Sequence, residues 1–143
     1  MTFSPAFIIR TSLCLLIIVS GLALRGFGFS LGLSAFVVKY GGSLLWAAMV
    51  YFLAAMAASN ASRPSIALIS AAIAVGVELF RLIHAPWLDA FRLTLPGALL
   101  LGRIFSAWNM LAYGVGIIFA VGLDRLAMRA FTPVPPPPVE HEF

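Results

Sequence analysis

Four long apolar runs, separated by short polar turns, constrain this sequence more than any other feature. A helix crosses the hydrocarbon core of a bilayer with about 20 mainly apolar residues. Candidate spans of that kind cover residues 6–23, 37–57, 65–83 and 107–123. Composition agrees, since 62% of the 143 residues are hydrophobic and only 10% are charged. A water-soluble domain runs near half apolar and about a quarter charged, and a chain this short cannot hide the excess. The expected fold is therefore all-α, a polytopic membrane bundle of about four transmembrane helices. Helices satisfy their own backbone groups where no water can.

The first run follows Arg10, and the chain then reads Arg25-Gly26-Phe27-Gly28 with no small-x-small cleavage site. An uncleaved first span is expected. The glycines favour a break, leaving residues 29–36 as a short connection. Residues 58–64 form the clearest turn, polar and carrying Pro64, which suits a helix start. Asn60-Ala61-Ser62 fits the N-glycosylation pattern, by itself a weak signal. Pro86 and Pro96 interrupt residues 85–106, whose apolar part is too short to cross, so a short re-entrant or interfacial segment is expected before the last helix. Asp124-Arg125 reads as the exit of the last span. Residues 1–129 are expected to form a single transmembrane helical domain, and residues 130–143 a proline-rich disordered tail with no capacity to pack.

The formal net charge is +4, yet the nine basic residues are dispersed and mostly flank the apolar runs. That distribution argues against nucleic acid as a partner and for membrane lipids. The single cysteine, Cys14, has no disulfide partner in the chain and reads as a small buried residue. Four spans put both termini on one side and the turns after spans one and three on the other. Arg25, Lys39, Glu78, Arg81, His84, Asp89, Arg92 and Asn109 then gather at one membrane face. Five basic residues (these four cations and Arg103) stand there against four at the opposite face, Arg10, Arg63, Arg125 and Arg129. A difference of one leaves the orientation open.

Glu78 is the most informative residue, because a carboxylate inside an apolar helix needs a partner or a wet cavity. Arg81, three positions on, is within pairing distance on a helix, and Lys39 can approach from the second span. Either a structural ion pair or a ligand site follows. His84 and Asp89 add a titratable pair, and Trp87 reads first as an interfacial aromatic. The expected ligand-binding set is Lys39, Glu78, Arg81, His84, Asp89, Arg92, Asn109 and Tyr113. No nucleophile adjoins a base, no glycine-rich phosphate loop is present, and neither HExxH nor CxxC occurs. No catalytic residue, metal or cofactor is therefore expected, and the pattern reads against an enzyme. Gly41-Gly42, Gly114 and Gly116 suit close helix approach.

Lys39-Tyr40-Gly41-Gly42 with Trp46, then Glu78, then His84-Ala85-Pro86-Trp87-Leu88-Asp89 with Arg92, and finally Leu111-Ala112-Tyr113-Gly114-Val115-Gly116 form a pattern over about residues 10–124. It resembles a bacterial family of small membrane proteins of unknown function, domain of unknown function 2809. That family is similar in turn to the VanZ-like proteins, whose order of functional positions Lys39, Glu78, Arg92 and Tyr113 match. Asn109 stands where that pattern tends to carry an aspartate, and Arg81 where it often carries a glutamine. The resemblance implies a multi-pass protein of the bacterial inner (cytoplasmic) membrane and no chemistry. Three roles remain open: binding an anionic lipid headgroup or envelope precursor through the one-sided polar cluster; an accessory or structural subunit beside other membrane subunits; and a lipid-modifying enzyme or transporter.

Overall fold

The structure, a computed structural model, describes residues 4–102 and 105–131. It is a helical bundle made of α1 (Pro5–Phe27), α2 (Ala35–Ala57), α3 (Arg63–Phe80), α4 (Pro86–Leu93), α5 (Leu95–Leu100) and α6 (Ala107–Phe131). The helices α1, α2, α3 and α6 are each long and apolar enough to cross a membrane. No strand occurs among the described residues.

Local sequence explains where these helices begin. Ser4, Ser34 and Ser62 each stand one residue before a crossing helix, and each hydroxyl accepts from the backbone N–H three residues on, at 3.2, 3.3 and 3.3 Å. A serine in this position is worth about 1 kcal/mol to the helix it starts. Pro5 and Pro64 occupy the first turns of α1 and α3, where the missing N–H would have had no partner anyway.

The ends differ from the sequence expectation in three places. Helix α1 does not break at Arg25-Gly26 but continues to Phe27, with Arg25 in its last turn, where a cation suits the negative end of the helix dipole. Helix α3 stops at Phe80 rather than residue 83, because Arg92 of α4 takes the carbonyls of Phe80 and Ile83 at 2.7 and 2.8 Å. Asp124 is not an exit. It is fully buried, and α6 continues past it to Phe131, so Ala130 and Phe131 are helical rather than part of the tail. Residues 85–106 hold two short helices, α4 and α5, packed on each other, neither long enough to cross. The proline run at 132–143 and Arg103 lie outside the described residues.

Helix α2 is the centre of the bundle, packed against α1, α3 and α6. Its most apolar window is also the least hydropathic of the four, at a mean of 1.4, yet 44% of it is buried. Helix α1 shows the reverse, with a mean hydropathy of 2.3 and 11% buried. Lipid rewards large apolar side chains on the outside, so helix interfaces are left to small residues that let backbones approach. Ala47, Ala48 and Ala55 are accordingly enclosed with Tyr51 and Phe52 at the core, while Leu15, Leu16 and Ile118 face outward.

Helices α2 and α6 come close together at Gly116, where a Cβ atom would collide with the Leu44 carbonyl oxygen. Gly114, two positions before it on the same helix, faces open space. Gly116→Ala should therefore lower the thermal midpoint in detergent by the equivalent of about 1–3 kcal/mol, the usual range for overpacking. Gly114→Ala should leave the midpoint where it is. Equal behaviour of the two variants would contradict the α2–α6 packing.

Candidate functional site

Glu78 is fully buried near the C-terminal end of α3. Its carboxylate collects four donors. Oε2 accepts from Arg81 Nη1 at 2.6 Å and from the Tyr113 hydroxyl at 2.8 Å. Oε1 accepts from the Ser106 backbone N–H at 2.7 Å and from Asn109 Nδ2 at 3.3 Å. Ser106 and Asn109 belong to the start of α6, so the carboxylate lies where that helix presents unpaired N–H groups and the positive end of its dipole. Asn109 Oδ1 in turn lies 3.2 Å from the Ser43 hydroxyl on α2. One carboxylate thus joins α3 to α6 directly and to α2 through one intermediary.

A carboxylate has about four acceptor positions, and here all four are occupied from within the chain. A general base needs a free lone pair facing its proton, which Glu78 does not have. The geometry is that of a neutralised structural hub.

Arg81 also donates through Nε to the Leu101 carbonyl. The backbone reaches it because Gly102 adopts a positive φ of 68° that favours glycine. A Cβ there would also stand 2.7 Å from the Arg81 guanidinium.

The remaining expected residues fall into separate groups. Arg92 is 2% exposed and closes the end of α3 through the Phe80 and Ile83 carbonyls. It also bonds Asp89 at 3.2 Å, and Asp89 lies 3.4 Å from His84 Nδ1. This His84–Asp89–Arg92 string sits at the surface, with His84 and Asp89 side chains 69% and 45% exposed. Glu78 does not join it, and no group of three His, Cys, Asp or Glu residues comes together among the described residues. Lys39 is exposed, its Nζ 5.1 Å from the centre of the Tyr40 ring. The structure therefore brings Glu78, Arg81, Asn109 and Tyr113 into one network. It sets His84, Asp89 and Arg92 beside it and leaves Lys39 at its edge.

Two features go beyond the expected set. The first is a second buried carboxylate at the opposite end of the bundle. Asp124 is fully enclosed and accepts from Arg10 at 2.8 and 3.2 Å and from Arg63 at 2.9 Å. Arg10 also donates to the Ala55 carbonyl at 3.0 Å, which ties α1, α2, α3 and α6 together. Depth within four antiparallel spans puts these three charges at one level, and the pairing rule for intramembrane charges was the available signal.

The second is Arg25, which topology places on the Glu78 face but which no sequence pattern singles out. Its guanidinium lies over the backbone of Gly42, where a Cβ would be 3.0 Å from Nε. Among the described residues it makes no hydrogen bond or ion pair.

Comparison with known proteins places this geometry in one context. The family model described as "Protein of unknown function (DUF2809)" matches residues 32–117, more than half of the chain. The matched stretch contains the whole Glu78 network and the His84–Asp89–Arg92 string, and excludes Arg10, Arg25 and Asp124. No solved structure matches the chain.

Removing one partner of a buried ion pair costs about 3–5 kcal/mol, because the other charge is stranded. Glu78→Gln should destabilise the protein on that scale, read as a fall in the thermal midpoint. Pairing it with Arg81→Gln should recover part of the loss, since both charges then go together. An additive double variant would contradict the ion-pair reading. Asp124→Asn should also destabilise, because it strands the largely buried Arg10.

Proposed function

The chain belongs to the DUF2809 family of proteins of unknown function, and from that premise we propose that it binds an anionic lipid headgroup or lipid-linked envelope precursor at the Glu78 face of a bacterial cytoplasmic membrane. One observation carries this reading. Among the described residues of that face, both acids are satisfied by cations of the chain itself, Glu78 by Arg81 and Asp89 by Arg92. Arg25 and Lys39 are left as positive charge with no acidic partner.

Uncompensated cations at headgroup depth attract anionic lipid, at about 1 kcal/mol per Lys or Arg. A guanidinium adds paired donors that match a phosphate. Trp87 and Trp108, 71% and 64% exposed, mark the same level as interfacial. Of the three cations the sequence nominates for an anion, Arg81 and Arg92 are engaged inside the chain, so the reading moves to Lys39 and Arg25. An envelope setting also suits the VanZ-like order of Lys39, Glu78, Arg92 and Tyr113.

A second reading, an accessory subunit, is favoured by Gly76 and Gly114, which have open space where a Cβ would point and so offer room for a neighbouring helix. Native mass measurement after gentle extraction separates the two readings, since a companion subunit adds its mass.

The test is retention of anionic lipid through purification. Arg25→Gln with Lys39→Gln should reduce co-purified phosphatidylglycerol or added polyprenyl phosphate at least several-fold, without loss of thermal stability. Inorganic phosphate at millimolar concentration should not compete if the ligand is an amphiphile. Unchanged retention in the double variant would sink the headgroup reading.

A further inference from the structure

A cavity of about 320 Å³ opens between α1, α2 and the short helix α5. Among the described residues Arg25 is the one charged residue that lines it, and the other described walls are almost wholly apolar. Along α1 the lining runs from Ile17 and Ile18 through Gly21 and Leu22 to Arg25, a spacing of three or four residues that keeps one helix face. Along α2 it runs from Gly42 to Met49. Seven residues of helix at 1.5 Å each give a channel about 11 Å deep. Its charged end is at the Glu78 face, because Arg25 lies in the last turn of α1 there and Gly42 lies near the start of α2.

Two absences of side chain shape this space. Gly21 keeps the floor low, its Cβ position 3.7 Å from Leu45, and Gly42 gives the Arg25 guanidinium its seat. The third wall stands off, since α5 packs on α4 and not on α1 or α2. A groove of this kind would be filled by side chains if it were only a packing interface.

We propose that this groove holds one hydrocarbon chain of a membrane amphiphile whose anionic phosphate head is clasped by Arg25. The inference rests on the headgroup reading above and adds where the chain of the same molecule lies. Charge complementarity names the head, because a guanidinium with no hydrogen bond or ion pair among the described residues, at the end of an apolar channel, calls for an anion. The apolar walls name the tail, because a slot about 11 Å deep, whose described lining beyond Arg25 is almost wholly apolar, offers a sugar little to bond. Its volume falls within the usual range for small-molecule sites, about 300–1,000 Å³. Gly21 sets the depth available to the chain, and α5 forms its outer wall.

Trp46 lines the groove and reports on it. The full-length protein carrying Trp87→Phe and Trp108→Phe keeps Trp46 as its sole tryptophan. It is reconstituted into phosphatidylcholine vesicles, and phosphatidylglycerol brominated along its acyl chain is titrated in. Trp46 fluorescence should fall along a saturable curve at a mole fraction several-fold lower than with brominated phosphatidylcholine. Arg25→Gln should erase that preference. Gly21→Phe should fill the slot and abolish the saturable quenching while phosphatidylglycerol still co-purifies. Gly21→Ala, which fits the space present, should give a partial loss and serves where the phenylalanine variant does not fold.

Equal quenching by the two brominated lipids, with anionic lipid still retained by the unmodified protein, would overturn the groove and leave the headgroup reading standing. Loss of anionic preference in both assays would overturn both. Saturable quenching that survives Gly21→Phe and Gly21→Ala alike would also overturn the groove.

Discussion

Hydrocarbon does not solvate a carboxylate, and this bundle contains two that are fully buried. Glu78 lies near one end and Asp124 near the other. Each is neutralised by arginine from the chain, Glu78 by Arg81 and Asp124 by Arg10 and Arg63. Arg10 and Arg63 reach Asp124 from other helices, and Ser106, Asn109 and Tyr113 reach Glu78 from the α6 side, so satisfying the two carboxylates also fixes which helix ends adjoin. The Asp124 cluster gathers α1, α2, α3 and α6. The Glu78 cluster gathers α3, the start of α6 and, through Asn109 and Ser43, α2. Cooperative burial of this kind costs desolvation at each charge and returns a specified register, since a rotated helix would strand a charge.

Between the two polar ends the helices are held by shape. Lipid tails are as apolar as leucine, so association cannot rest on hiding leucine from the surroundings. It rests on the alanines of α2 and on Gly116, whose lack of a side chain lets α6 meet the α2 backbone. Helix α1 meets the bundle mainly through α2, and most of its surface faces outward. That looseness has a consequence. With α5 standing off on the other side, the α1–α2 seam is where the bundle leaves space, and Arg25 lies at the end of that space.

The described cations of the Glu78 face therefore divide into two kinds. Arg81 and Arg92 are consumed in closing the protein: one neutralises Glu78 and holds the Leu101 carbonyl, the other ends α3. Arg25 and Lys39 close nothing. An arginine in a span is costly unless something answers its charge, and the partner proposed here is an anionic lipid rather than a residue. Saturation of Glu78 by four donors argues in the same direction, because it removes the most obvious acid or base from any reaction at this face.

Much of the architecture was legible in the residues themselves. Apolar run lengths determine four crossing helices, and the short turn at 58–64 separates the second from the third. An even number of spans then sends Lys39, Glu78, Arg81 and Asn109 to one face whatever the packing. Even the link between Glu78 and Arg81 follows from a spacing of three on a helix.

What the sequence could not decide was which charges answer each other across helices. Asp124 reads as a helix exit when only its own helix is considered, since a charge beside an arginine at the end of an apolar run looks solvated. Only the approach of Arg10 and Arg63 makes it a buried hub. Arg92 looks available for a ligand until α4 folds back to close α3 with it. Arg25 looks like a boundary residue until the groove beside it is seen. Periodicity and hydropathy are properties of single helices, whereas neutralisation and empty space are properties of several helices at once, and they exist only after the bundle has packed.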